Sequence, residues 1–186
     1  MPVPRGTPDP STFRRRDDLA LLIPEGGLCA ELGVAEGRFS EKLLERSKLG
    51  FLYSIDMWSG DRGHDVAEYR RALERLMPYR GRNAALRMTF AEALPLFPDA
   101  TFDFIYVDGY AHTGEEGGQT LRDWYPKVKP GGVIAGDDYA GDFPLVVEAV
   151  DRFVADEGLT LHVIRCVEKA DDWMSQYDSW CAFKPR

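Results

Sequence analysis

The stretch "FDFIYVDGYAH", residues 102–112, is apolar for nearly all of its first six positions, stops on Asp108, and passes through a glycine to a histidine. A strand with one wet face alternates polar and apolar side chains. A run that is continuously apolar suits a strand covered on both faces, as in a parallel sheet sandwiched by helices. A second run, "VIAGDD" (133–138), is built the same way and ends on a pair of aspartates. Two strand-like segments closing on carboxylates set the functional problem, because acids usually lie in solvent and here they follow the most apolar parts of the chain.

Working outward, apolar runs alternate with helical patterns. "GLCAEL" (27–32) reads as the first strand and "RFSEKLLERS" as an amphipathic helix after it. "GFLYSID" (50–56) is the second strand, and "AEYRRALERLM" places Tyr69, Leu73 and Leu76 on one helical face by three-and-four spacing. "AALRM" is a weaker third strand, "AEALPLF" a short helix and "GGQTLRDWYPKV" a longer one. "KPGG" is expected to turn the chain into the fifth strand. "PLVVEAVDRFVADEG" has proline near a helix start and glycine at its end, both in their preferred places. "TLHVIRCV" and "SWCAFK" supply the last two strands.

This alternation predicts an α/β fold: a doubly wound, mostly parallel seven-stranded sheet with helices on both faces. Ligands in such sheets bind beyond the carboxyl ends of the strands. Asp56, Asp108 and Asp137 each close a strand, so all three are expected at that one edge.

The totals fit one domain. There are 186 residues, 44% hydrophobic and 29% charged, with no linker or repeat to divide them. Residues 1–17 read as a flexible arm or lid, and 18–186 as the domain. A net charge of −8 argues against a nucleic-acid partner. Arg14, Arg15 and Arg16 form the basic cluster, expected to be a solvated arm. Cys29, Cys166 and Cys181 sit in apolar runs and are expected as reduced, small hydrophobes. With no signal-peptide pattern and no membrane-length apolar run, a cytoplasmic protein is expected.

After the first strand comes "ELGVAEG": Glu31, Gly33 and Gly37 in the pattern E-x-G-x-x-x-G. Glycines allow close backbone approach to a ligand, and the next helix offers free N–H groups. The G-x-G-x-x-G of a pyrophosphate cradle is absent. Asp56 closes the next strand 23 residues after Gly33, where a carboxylate can accept from ribose hydroxyls. The set suits S-adenosylmethionine better than NAD.

On "AELGVAEG", "YSIDMW", "FDFIYVDG" and "KPGGVIAGDDY", the chain resembles the class I S-adenosylmethionine-dependent methyltransferases, from about Gly26 to Tyr139. The last motif, with "VDGYAH", is similar to the small macrocin O-methyltransferase branch, which uses a divalent metal. The resemblance implies that Glu31, Gly33 and Gly37 line the methionine end of the cofactor and that Asp56 holds the ribose. It places Met57 and Trp58 beside the adenine, with Ala91 and Glu92 at its edge. It also implies an antiparallel last strand beside the sixth.

Strands four and five are neighbours in that fold, which would bring Asp108 to Asp137 and Asp138. Clustered carboxylates repel one another, and a hard cation such as Mg²⁺, Mn²⁺ or Ca²⁺ relieves that. The competing reading is turn and cap chemistry, since "GDDYAGDFP" precedes a helix. Asp142 is the better cap there, which leaves Asp137 and Asp138 for metal. A metal-bound hydroxyl would lose its proton to a base. His112 is the candidate, although its distance from Asp108 is one residue longer than the family's D-x-x-H, with Tyr110–Ala111 as the insertion. His64 is expected at the surface and His162 as a structural residue. Trp173, Met174 and Tyr177 are expected beside a small-molecule acceptor, and a homo-oligomer is an open expectation. The resulting expectation is O-methylation of a small hydroxylated molecule. The alternatives are a metal-independent methyltransferase, an NAD-dependent oxidoreductase and a non-catalytic cofactor-binding module.

Overall fold

The computed structural model describes residues 6–60, 64–108, 114–166 and 176–186. Seven strands form one sheet: β1 (Leu28–Leu32), β2 (Phe51–Asp56), β3 (Asn83–Arg87), β4 (Phe102–Val107), β5 (Val128–Gly136), β6 (His162–Ile164) and β7 (Ser179–Phe183). Their spatial order is β3-β2-β1-β4-β5-β7-β6. β1 pairs in parallel with β2 and β4, β4 with β5, and β2 with β3. β7 runs antiparallel to both β5 and β6. The fold is the expected doubly wound α/β sheet with one reversed strand.

Period-two alternation divides the side chains between two cores. Ala30, Leu32, Ile105, Val107, Ile134, Trp180 and Ala182 point to one face, where Leu121 and Trp124 of α4 (Gln119–Trp124) and Val146, Val150 and Phe153 of α5 (Pro144–Asp156) cover them. Cys29, Leu52, Phe104, Tyr106, Val133 and Cys181 point to the other, under Phe39, Leu43 and Leu44 of α1 (Arg38–Arg46) and a 3₁₀ segment at Arg16–Leu22. Because both faces are dry, β4 carries no alternation. Burying one of its large side chains contributes roughly 1.5–3 kcal/mol.

Three local expectations change. β5 begins at Val128, so "KPGG" lies within the strand, and pairing with β4 shifts register between Phe102 and Phe104. On α2 (Val66–Leu76) the buried positions are Ala72 and Leu76, while Leu73 is 40% exposed. α5 starts with Pro144 in its first turn and no side-chain cap, so Asp142 does not cap it. α3 (Phe90–Ala93) is a single turn held by a Thr89–Glu92 capping box. Cys29, Cys166 and Cys181 are all free thiols. Among the described residues, no helix is long and apolar enough to cross a membrane.

Candidate active site

A cavity of about 760 Å³ opens at the carboxyl ends of β1, β2, β4 and β5. That volume falls within the range of small-molecule sites. Its wall includes Glu31, Gly33, Asp56, Met57 and Ala91 on one side and Asp108, Asp137 and Asp138 on the other. All eight are candidates from the sequence, and the fold brings them onto one wall. Gly37, Trp58 and Glu92 are not on the wall.

Each of those three has another task. Gly37 has φ 75° at the start of α1, where a Cβ would meet Leu76 Cδ1 at 3.3 Å, so it lets α1 close against α2. Trp58 is fully buried, donates from Nε1 to the Ala35 carbonyl at 2.8 Å, and packs on Tyr69 with ring centroids 4.6 Å apart. Glu92 accepts from the Thr89 amide at 2.9 Å and is turned back to cap α3.

Asp56 organises the cofactor side. Its Oδ2 accepts from the amides of Val34 at 2.9 Å and Ala35 at 3.0 Å, and its Oδ1 from Trp58 at 3.1 Å. The loops after β1 and β2 are thereby tied to a single carboxylate. Strain gathers here as well. Ala35 (φ 47°), Trp58 (φ 40°) and Asp138 (φ 58°) all take left-handed backbone, each in the loop that follows a strand of the site. Such conformations cost on the order of 1–3 kcal/mol each and persist where surrounding structure imposes them.

Glu31 is buried and accepts a short hydrogen bond from Ser40 Oγ. Ser40 meets Ser54 Oγ at 2.9 Å, and Ser54 accepts from Asn83 Nδ2 at 2.8 Å. A polar chain therefore runs from the cavity along the α1 side of the sheet, past β2 to β3. Burial pushes the Glu31 carboxyl up to about 8, against the pull of the Ser40 hydroxyl.

The acidic edge differs most from expectation. Arg16, read as part of a solvated cluster, is 4% exposed and reaches into the carboxylates. Its Nη1 donates to Asp108 Oδ2 at 2.7 Å, Asp137 Oδ2 at 2.5 Å and Tyr106 Oη at 3.4 Å. Ser179 Oγ donates to Asp137 Oδ1 at 2.8 Å, so both oxygens of that carboxylate are engaged. Burial pushes Asp137 up to about 6, with Arg16 opposing it. Asp138 rises to about 8, through burial and then repulsion from Asp137 and Asp108.

A divalent cation bridging Asp108 and Asp137 would need ligand distances of about 2.0–2.6 Å, and Nη1 already stands at that position. Among the described residues, no three His, Cys, Asp or Glu side chains converge in a metal-holding arrangement. The residues present do not fit the metal that the resemblance implied.

His112, the candidate base, lies outside the described residues, as do Trp173 and Met174. Tyr177 is on the cavity wall and packs edge-on against Phe143 with centroids 4.7 Å apart. His64, expected at the surface with a place over the pocket as the alternative, is both: its side chain is 43% exposed and lines the cavity, with Nδ1 2.8 Å from Glu68 Oε2. His162 is half-buried and edge-on to Phe183, in keeping with a structural role. Sequence reasoning missed Arg16, Phe39, Thr89 and Phe90. Only Phe39, an apolar residue just after the glycine turn, had a usable signal.

Comparison with known proteins identifies the family and the fold. A family model described as a methyltransferase domain matches residues 30–139, more than half of the chain. The "uncharacterized protein y4gI" of Sinorhizobium fredii is 30% identical over 91 residues, covering 46% of this chain. The chain spans only about 10% of that relative's length. Among solved structures, precorrin-6y C5,15-methyltransferase from Geobacter metallireducens superposes with a TM-score of 0.66 at 14% identity, covering 90% of this chain and 85% of that one. An S-adenosylmethionine-dependent O-methyltransferase from Thermotoga maritima gives 0.64 at 15%, covering 90% and 63%. Spermidine synthase from Thermotoga maritima gives 0.65 at 15%, covering 92% and 58%. At these identities the structural likeness shows the fold alone. The family match extends from Ala30 in β1 through Asp56 and Asp108 to Tyr139 beyond the paired aspartates, and the chain belongs to the S-adenosylmethionine-dependent methyltransferases.

Proposed function

We propose that the protein transfers the methyl group of S-adenosylmethionine to a hydroxyl of a small neutral molecule, such as a sugar or natural-product alcohol. The supporting observation is one cavity that holds Glu31, Gly33, Asp56, Met57 and Ala91 beside Asp108, Asp137, Asp138 and Tyr177. The first group suits the cofactor: Glu31 and Gly33 toward the methionine end, Asp56 toward the ribose, Met57 and Ala91 toward the adenine. The second suits the acceptor. A carboxylate-rich wall favours a sulfonium cofactor and disfavours an anionic acceptor.

In the transfer, an acceptor oxygen lone pair forms the new C–O bond as the S–CH₃ bond breaks, and the bonding pair stays on sulfur. The acceptor proton leaves to a base at this edge, for which the sequence offers His112. Holding oxygen, methyl carbon and sulfur in line supplies much of the acceleration. The narrower likeness to macrocin O-methyltransferases supports an oxygen nucleophile. Its divalent metal has no support from the donor set around Arg16.

Calorimetry with S-adenosylhomocysteine, followed by mass spectrometry across a panel of hydroxylated acceptors, tests this reading. One-to-one binding and a product heavier by one methylene are expected. Tight binding with no methylated product from alcohols, amines or thiols would point to a cofactor-holding module instead.

A further inference from the structure

The acidic cluster already contains a cation. Arg16 enters from the 3₁₀ segment Arg16–Leu22, which Leu19, Ala20 and Leu22 bury against α1. The segment is fastened by more than packing. Asp18 Oδ2 accepts from the amides of Arg14 at 2.9 Å and Arg15 at 3.2 Å, and Arg46 reaches Asp17 at 3.4 Å and Asp18 at 2.9 Å. The guanidinium lies 4.7 Å over the Phe39 ring and 5.7 Å over the Tyr106 ring. Two aromatic faces and two carboxylates thus hold one positive charge in place.

Its mode of contact is informative. Arginine commonly meets a carboxylate side-on, with two parallel N–H bonds. Here a single nitrogen, Nη1, makes all three contacts, while Nε is buried with no partner among the described residues. The group is inserted end-on between acids from two different strands, as a point charge would be. A guanidinium stays protonated at any physiological pH.

We propose that Arg16 is the resident cation of this site, standing where related enzymes would hold a divalent ion, and that the protein performs methyl transfer without a metal. Arg16 neutralises Asp108 and Asp137, fixes their positions, and cannot be lost to a chelator.

Mn²⁺ uptake by the full chain, followed by electron paramagnetic resonance after chelator treatment and desalting, is the test. Wild-type protein should take up no stoichiometric Mn²⁺. Arg16→Ala should gain one Mn²⁺ per chain, lose it again when Asp137→Asn is added, and show a lowered thermal midpoint that Mn²⁺ raises. Methyl transfer by the wild type should be the same in EDTA as in Mg²⁺. Stoichiometric, Asp137-dependent Mn²⁺ uptake by the wild type would overturn the proposal. So would a folded Arg16→Ala protein that binds no Mn²⁺, or wild-type activity that EDTA abolishes and Mg²⁺ restores. If Arg16→Ala does not fold, the wild-type uptake and EDTA measurements decide alone. The activity arm rests on the acceptor reading above, whereas Mn²⁺ uptake does not, so the two fail separately.

Discussion

Arg16 and Asp137 lie 121 positions apart in the chain, yet Nη1 of the first stands 2.5 Å from Oδ2 of the second, with both side chains almost fully enclosed. In such a contact desolvation opposes the Coulomb attraction. Its loss is therefore felt mainly through the charge that remains behind.

Replacing Arg16 with Met should accordingly cost about 3–5 kcal/mol of stability, because it leaves the buried Asp137 unpaired beside the half-buried Asp108. Urea denaturation measures this. Adding Asp137→Asn to the same chain should recover part of the loss, and a double variant no more stable than Arg16→Met would contradict the account.

The Glu31 carboxyl gives a pH dependence of known sign. Its folded value is raised from the usual carboxylate range to about 8, so the folded chain keeps a proton that the unfolded chain has released. The resulting stabilisation is complete below about 4.5 and is lost as pH rises through about 8. Glu31→Gln should flatten the decline in melting temperature across that window. Where the cofactor's ammonium drives ionisation, binding at pH 7 should release up to one proton. Calorimetry in two buffers of different ionisation enthalpy reads that release, and it should vanish in the variant.

Ser40→Ala removes the hydroxyl that Glu31 accepts from and breaks the chain to Ser54. Leaving a buried acceptor unsatisfied costs about 1–3 kcal/mol. The variant should be less stable by that amount, with the Glu31 titration moved further up.

Gly136→Ala tests how Asp137 is placed. A Cβ at residue 136 would lie 2.7 Å from Trp180 Nε1 and 2.8 Å from the Val107 carbonyl, neither of which can retreat. Overpacking of this kind costs about 1–3 kcal/mol. Methyl transfer should fall more steeply than stability does, since the displaced residue adjoins the cluster. Activity retained in a folded variant would count against the cluster's role.

Asp56→Asn keeps the size of the side chain but loses the charge that gathers the amides of Val34, Ala35 and Trp58. Hydrogen bonds to a charged acceptor contribute about 1.5–3 kcal/mol, so affinity for S-adenosylhomocysteine should drop roughly 10- to 100-fold.

The sheet was legible because the apolar pattern of β4 and β5 leaves few alternatives, and the edge position of Asp56, Asp108 and Asp137 followed from strand ends. What escaped the reading were side chains whose role depends on direction. Trp58 has the composition of a ligand wall but is buried against Tyr69, with its backbone at φ 40°. Arg16 sits among two other arginines, and no spacing rule separates the buried one from its exposed neighbour Arg14. A guanidinium that neutralises residues more than ninety positions away leaves no local trace.

Asp137 is gripped on one oxygen by Arg16 and on the other by Ser179, which follows it by 42 positions. A ribosome releases the first partner early and the second long after the carboxylate itself. Full satisfaction of that acid therefore waits for β7 to pair with β5, which ties the finished cluster to the seventh strand of the sheet.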